Sequence, residues 1–195
     1  LAAVQTDDSH EAFKQFLNYT NDEHADNIER YLQSLSVGVR PRESVVRDLL
    51  EVLQSGELEN EKIINSLVQT ISSMTHKLAK LNKNELTKTV EDFLTESFKK
   101  CTDRTDENDC KVMYIRGLLN LQSPSSLSAL VDLALYQPYQ ISVMAMKALS
   151  RFSATHLQGL KKDFKKIFYQ SSKRVDSSAR TIALDILLDL NPSES

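Results

Sequence analysis

Apolar residues recur at spacings of three, four and seven along almost the whole chain, the signature of amphipathic helices. The first stripe is Ala12, Phe13, Phe16 and Leu17, with Asp8 and Glu11 placed as a capping box at its start. Ile28, Tyr31, Leu32 and Leu35 form a second, predicted to stop at Gly38 in a left-handed cap. Pro41 suits the first turn of a third helix, running through Val45, Val46, Leu49, Leu50 and Leu53 to Gly56. The fourth and longest stripe is Ile63, Ile64, Leu67, Ile71, Met74, Leu78 and Leu81, and the fifth is Leu86, Val90, Phe93, Leu94 and Phe98.

Beyond residue 110 the pattern continues. Val112, Ile115, Leu118 and Leu119 come first. Pro124 opens a helix carrying Leu127, Leu130, Val131 and Ala134, and Pro138 opens one carrying Ile141, Met144, Ala145, Ala148, Leu149 and Phe152. Leu157, Leu160, Phe164, Ile167 and Phe168 mark a ninth helix, and Ala179, Ile182, Ala183, Ile186, Leu187 and Leu190 a tenth, ended by Asn191-Pro192. About ten short helices with short links, pairs recurring roughly every 30–40 residues, predict an all-α fold of the α-α superhelix kind, as in HEAT and armadillo repeats. Residues 1–195 read as a single helical-repeat domain.

The composition agrees. The chain has 195 residues, enough to bury a core at 41% hydrophobic content, and only four glycines and four prolines. The formal net charge of −3 gives no reason to expect a nucleic-acid partner. No apolar run approaches the roughly 18 residues of a membrane span, and no signal-peptide pattern is present. Leu1 is not a methionine, so the chain is expected to be a fragment or a processed product.

Catalytic and cofactor chemistry has no foothold. His10, His24, His76 and His156 are scattered, with no pair at helical spacing for a metal, and no glycine-rich phosphate loop or CxxC occurs. Adjacent carboxylates such as Asp7-Asp8 and Glu91-Asp92 splay apart on a helix. No cofactor and no enzyme activity are expected. Cys101 and Cys110 flank a polar stretch; they are either two separate thiols or a disulfide stapling an interhelical loop, and the bonded form implies an oxidising compartment. Asn18-Tyr19-Thr20 is a glycosylation sequon that points the same way. Lys161, Lys162, Lys165, Lys166, Lys173 and Arg174 decorate the ninth helix and its exit. That run is an ordinary basic solvent face, a dock for an acidic protein surface, or a lipid headgroup contact.

The run Ile141-Ser142-Val143-Met144-Ala145-Met146-Lys147-Ala148-Leu149-Ser150-Arg151-Phe152 resembles the helical domain of the large lipid transfer protein family. So do Lys165-Lys166-Ile167-Phe168-Tyr169-Gln170 and Ala179-Arg180-Thr181 leading to Leu190-Asn191-Pro192-Ser193. The family includes vitellogenins and the amino-terminal part of apolipoprotein B. The resemblance covers the whole chain and is sharpest from Val112 onward. It implies an endoplasmic-reticulum-lumenal parent that pairs with protein disulfide isomerase and loads neutral lipid onto apolipoprotein B-like proteins. The fragment is then roughly the C-terminal two-thirds of a helical arch, with the lipid held by β-sheet domains absent from this chain. It also implies partner docking through Lys161, Lys162, Lys165, Lys166 and Tyr169, and an internal ion pair between Arg151 and Asp176. The competing expectation is a cytosolic HEAT-like adaptor, which a Cys101–Cys110 bond opposes. A lipid-surface apolipoprotein-type helix is opposed by the short, capped, charge-balanced helices.

Overall fold

The computed structural model describes residues 6–81, 84–101, 107–170 and 176–190. Among these the secondary structure is all-α: α1 (Asp7–Lys14), α2 (Ala25–Val37), α3 (Glu43–Gln54), α4 (Glu61–Ala79), α5 (Asn84–Lys100), α6 (Glu107–Leu121), α7 (Leu127–Tyr136), α8 (Tyr139–Leu149), α9 (Ala154–Leu157), α10 (Lys161–Tyr169) and α11 (Ser177–Asp189), with short 3-10 turns at 22–24, 124–126 and 158–160. Lys173, Arg174, residues 102–106 of the cysteine loop and Asn191-Pro192 lie outside the described residues. The chain divides into two compact units, Leu1–Leu94 and Thr95–Ser195, with the boundary inside α5.

Each unit is built from stacked helix pairs. In the first, α3 packs on α4, while α1 meets α3 and α2 meets α4. In the second, α7 pairs with α8 and α10 with α11, while α6 meets α8, α7 meets α10 and α8 meets α11. A helix that touches its own partner and its equivalent in the next pair is what repeat stacking produces. The core of the first unit is Ile28 and Leu32, Val46 and Leu49, and Ile63, Leu67, Ile71 and Met74, all essentially inaccessible. In the second unit α8 is the hub: Ile141, Ser142, Ala145, Met146, Ala148 and Leu149 are all buried. Its small residues let α6, α7 and α11 approach, and the Ser142 hydroxyl donates to the Ala134 carbonyl of the last turn of α7 at 2.7 Å.

Several helix ends differ from expectation. The N-cap of α1 is Thr6, not Asp8, and the reciprocal box is closed by Ser9. Thr6 has extended backbone and a side-chain oxygen in register with the Ser9 amide, whereas Asp8 is already helical. Gly38 ends α2 with φ −59°, not left-handed, because the Lys77 ammonium of α4 donates to the Ser36 and Gly38 carbonyls at 2.6 and 2.7 Å and does the capping itself. Gly56, after α3, is left-handed at φ +73°. Arg42 is extended, so α3 begins two residues after Pro41. Pro41 and Val46, both buried, hold the two positions of a hydrophobic staple. The stripe of α4 ends at Leu78; Leu81 lies beyond the helix and is 64% exposed.

A polar cluster docks α1. The Tyr31 hydroxyl shares a 2.5 Å hydrogen bond with His10 Nδ1, and Phe13 stacks on Tyr31 with ring centroids 4.4 Å apart. Lys14 reaches Asp48 at 3.0 Å, and Ser44 donates to Asp7. His10 Nε2 lies 3.4 Å from Asp48 but is not aligned for a hydrogen bond. Burial therefore outweighs the Asp48 and Glu11 charges, Lys14 adds to it, and the His10 pKa falls below 6.5. Burial beside Asp48 also pushes the Tyr31 phenol up to about 12. Because the unfolded chain takes up the His10 proton first, stability is full above pH 6.5 and declines as pH falls through it, with a slope of at most about 1.4 kcal/mol per pH unit. Melts at pH 7.5 and 5.5 should show a larger loss in the wild type than in His10→Gln. Equal losses would remove His10 as the cause.

Candidate docking face

On α10 the residues divide cleanly. Phe164 and Ile167 are fully buried, and Phe168 and Asp163 are half-buried. Lys162, Lys165, Lys166 and Tyr169, at spacings of three and four, face solvent, with Lys161 half-buried at the edge. Lys166 is tied to Asp163 at 2.8 Å, and that carboxylate raises its pKa. Tyr169 is 69% exposed and its ring meets Phe168 edge-on with centroids 5.0 Å apart. Gln170 closes the helix in the left-handed region at φ 56°.

Beside this stripe, α7 and α10 splay to leave an open groove of 580 Å³. Its floor includes Leu127, Val131 and Leu135 of α7 and Leu160 just before α10. Asp132, Asp163, Lys166 and His156 supply polar lining, and Tyr136, 66% exposed, stands at the edge. A groove of mixed polar and apolar lining with a cationic flank suits a protein segment that presents carboxylates and a few apolar side chains. Among the described residues no three His, Cys, Asp or Glu side chains converge to hold a metal, and no helix is long and apolar enough to cross a membrane.

The residues singled out from sequence fall as follows. Cys101, directly after α5, is bonded to Cys110 of α6 with Cα atoms 6.0 Å apart. Next to that bond, Phe98 packs on a cluster of Val112, Ile115 and Ile141. Asn18 is exposed in the turn between α1 and α2. Arg151 and Asp176 are not brought together: no ion pair joins them among the described residues. Arg151 is exposed past α8, and the Asp176 carboxylate is the N-cap of α11, accepting the Ser178 amide at 2.6 Å. The arginine that bridges helices is Arg180, which sequence reading missed. Its Nε donates to the Phe168 carbonyl at 2.9 Å, and its guanidinium lies 5.8 Å from the Phe168 ring centroid. Arg180 thus fixes the end of α10 that carries Tyr169. Only the adjacency of an arginine to the start of a helix could have hinted at it.

The sequence model of the family described as "Vitellogenin TPR domain" matches residues 1–195. The chain is 35% identical over its whole length to the microsomal triacylglycerol transfer protein of Drosophila melanogaster, covering 22% of that protein. It is 26% identical over 99% of its length to the microsomal triglyceride transfer protein large subunit of Danio rerio, and likewise to that of Homo sapiens, covering 22% and 21% of those proteins. The chain therefore spans about a fifth of the length of the curated relatives it matches.

Proposed function

Since this chain belongs to the vitellogenin TPR domain family, we propose that it is the helical scaffold and partner-docking segment of a neutral-lipid transfer protein of the endoplasmic reticulum lumen. The relatives are lipid transfer proteins by name, and the vertebrate ones are named as large subunits. On this reading the lipid is held elsewhere in the parent, protein disulfide isomerase is the second subunit, and apolipoprotein B-like proteins receive the lipid. The scaffold is one helical-repeat domain forming the C-terminal two-thirds of a larger arch.

The observation that carries the docking role is the solvent stripe of Lys162, Lys165 and Tyr169 beside the α7–α10 groove. The stripe is spaced for one partner surface, and Arg180 holds its helix in place. The bonded Cys101–Cys110 pair supports the lumen and opposes a cytosolic adaptor, whose thiols would be kept reduced.

The test is co-purification of the full-length protein with protein disulfide isomerase under non-reducing conditions. Lys166 is already paired within the helix, so the informative variant is Lys162→Glu with Lys165→Glu. Each exposed pair is worth about 0.2–1 kcal/mol. Reversal also adds repulsion, so affinity should fall roughly tenfold at low salt and less at high salt. Unchanged affinity at low salt would remove α10 as the contact.

A further inference from the structure

We propose that Asn18 is an N-glycan acceptor and that the exposed ring of Phe16 forms a platform for the first sugar. Three observations combine. First, the sequon residues separate by side: Asn18 and Thr20 are exposed, whereas Tyr19 between them is half-buried, its phenol within electrostatic reach of Tyr31 and Asp48. The middle residue thus anchors the turn against the α1-docking cluster, which leaves the acceptor and the hydroxyl residue outward. Second, the turn is already ordered around the acceptor amide. Thr20 donates to Asn18 Oδ1 through its hydroxyl at 2.8 Å and its backbone amide at 3.2 Å. Asn18 Nδ2, the atom that takes the sugar, has no part in either bond. Third, Phe16 is 76% exposed two residues before Asn18. Two residues span at most about 7 Å of chain, so its ring is within reach of a sugar on Asn18. The apolar C–H face of a pyranose covers an aromatic ring, which otherwise stays in water.

The chemistry balances with a lipid-linked oligosaccharide diphosphate as donor. Asn18 Nδ2 forms a bond to C1 of the reducing-end N-acetylglucosamine. The C1–O bond to the diphosphate breaks, and the lipid diphosphate leaves with that electron pair. The amide proton passes to a base of the transferring enzyme.

The proposal rests on the lumenal reading, and the experiment separates the two. The full-length protein, produced in eukaryotic cells, is treated with peptide N-glycosidase in ¹⁸O water and the peptide containing residue 18 is analysed by mass spectrometry, alongside the redox state of Cys101 and Cys110. The expected result is ¹⁸O-labelled aspartate at position 18, lost in Thr20→Ala and retained in Thr20→Ser. An unmodified Asn18 in protein with the disulfide intact overturns the proposal alone. An unmodified Asn18 with both cysteines as free thiols overturns the lumenal reading with it. For the platform, removing the glycan should lower Tm in the wild type and do so less in Phe16→Ala; an equal drop in both overturns the role of Phe16.

Discussion

Replacing Phe164 with alanine should destabilise the second unit by roughly 3–5 kcal/mol, the range for a fully buried phenylalanine whose cavity cannot collapse. Phe164 is completely inaccessible and heads the largest fully buried side chains. The helix that carries it has nine residues, and only Phe164 and Ile167 are buried on it. A helix of that length does not hold in water by itself, so its order depends on those anchors. Losing one should therefore do more than lower the melting point: α10 should open locally, and amide exchange should accelerate there before the rest of the unit. The groove wall and the lysine stripe go with it, so partner affinity should fall even though no partner-facing side chain has changed. Phe164→Leu keeps most of the volume and should recover most of both properties. The contrast with Lys162→Glu is diagnostic, because that exposed change should leave stability within about 0.5 kcal/mol while still weakening docking. An unfolding free energy for Phe164→Ala, from denaturant titration, within about 1 kcal/mol of wild type would show that α10 is held by something other than its buried face.

The helices themselves were legible because burial along them follows the 3.6-residue period. Ile63, Leu67, Ile71, Met74 and Leu78 all lie on the buried face, as their spacing requires. What the spacing cannot report is a three-dimensional choice between locally equivalent options. Thr6 and Asp8 are both good caps, and the extended backbone at Thr6 decides between them. Gly38 invites a left-handed cap, but Lys77, almost forty residues on, supplies the capping charge and removes the need. The ninth stripe reads as continuous. The structure breaks it into α9, a 3-10 turn at Gln158-Gly159-Leu160 and α10, because Leu157 and Leu160 satisfy either register and Gly159 weakens the helix between them. In α8 the sequence shows one stripe, yet Ser142, Val143 and Met146 off that stripe are buried too, since three helices cover it.

The candidate site divides along the same line. The lysine stripe lies within a single helix, so spacings of three and four displayed it directly, and the Asp163–Lys166 pairing at three residues was equally local. The groove needs α7 and α10 side by side, a contact across about thirty residues of sequence that no local pattern encodes. The same distance problem misdirected the arginine. Arg151 and Asp176 looked complementary on paper, but a carboxylate that caps its own helix is already engaged, and Arg180 finds a carbonyl and a ring on α10 instead.

Breaking the Cys101–Cys110 bond should cost about 2.5–3 kcal/mol, the chain-entropy value for a closed loop of about ten residues. The two cysteines are nine positions apart and join the end of α5 to the first turns of α6. At that junction Phe98, half-buried in the last turn of α5, packs on the Val112, Ile115 and Ile141 cluster, and Tyr114 of α6 is hydrogen-bonded to Ser97 of α5. Without the bond, the start of α6 should fray and Val112 should lose part of its shelter, while Leu118 and Leu121, deeper along α6, stay covered. The measurement is a pair of thermal melts with and without reductant on wild type and on Cys101→Ala with Cys110→Ala. Wild type should drop with reductant to the level of the double variant, and the double variant should not respond to reductant. A single Cys110→Ser variant should be at least as unstable, because it leaves the mostly buried Cys101 sulfur as a lone thiol. If reductant shifts both proteins alike, or neither, the bond contributes nothing to this junction.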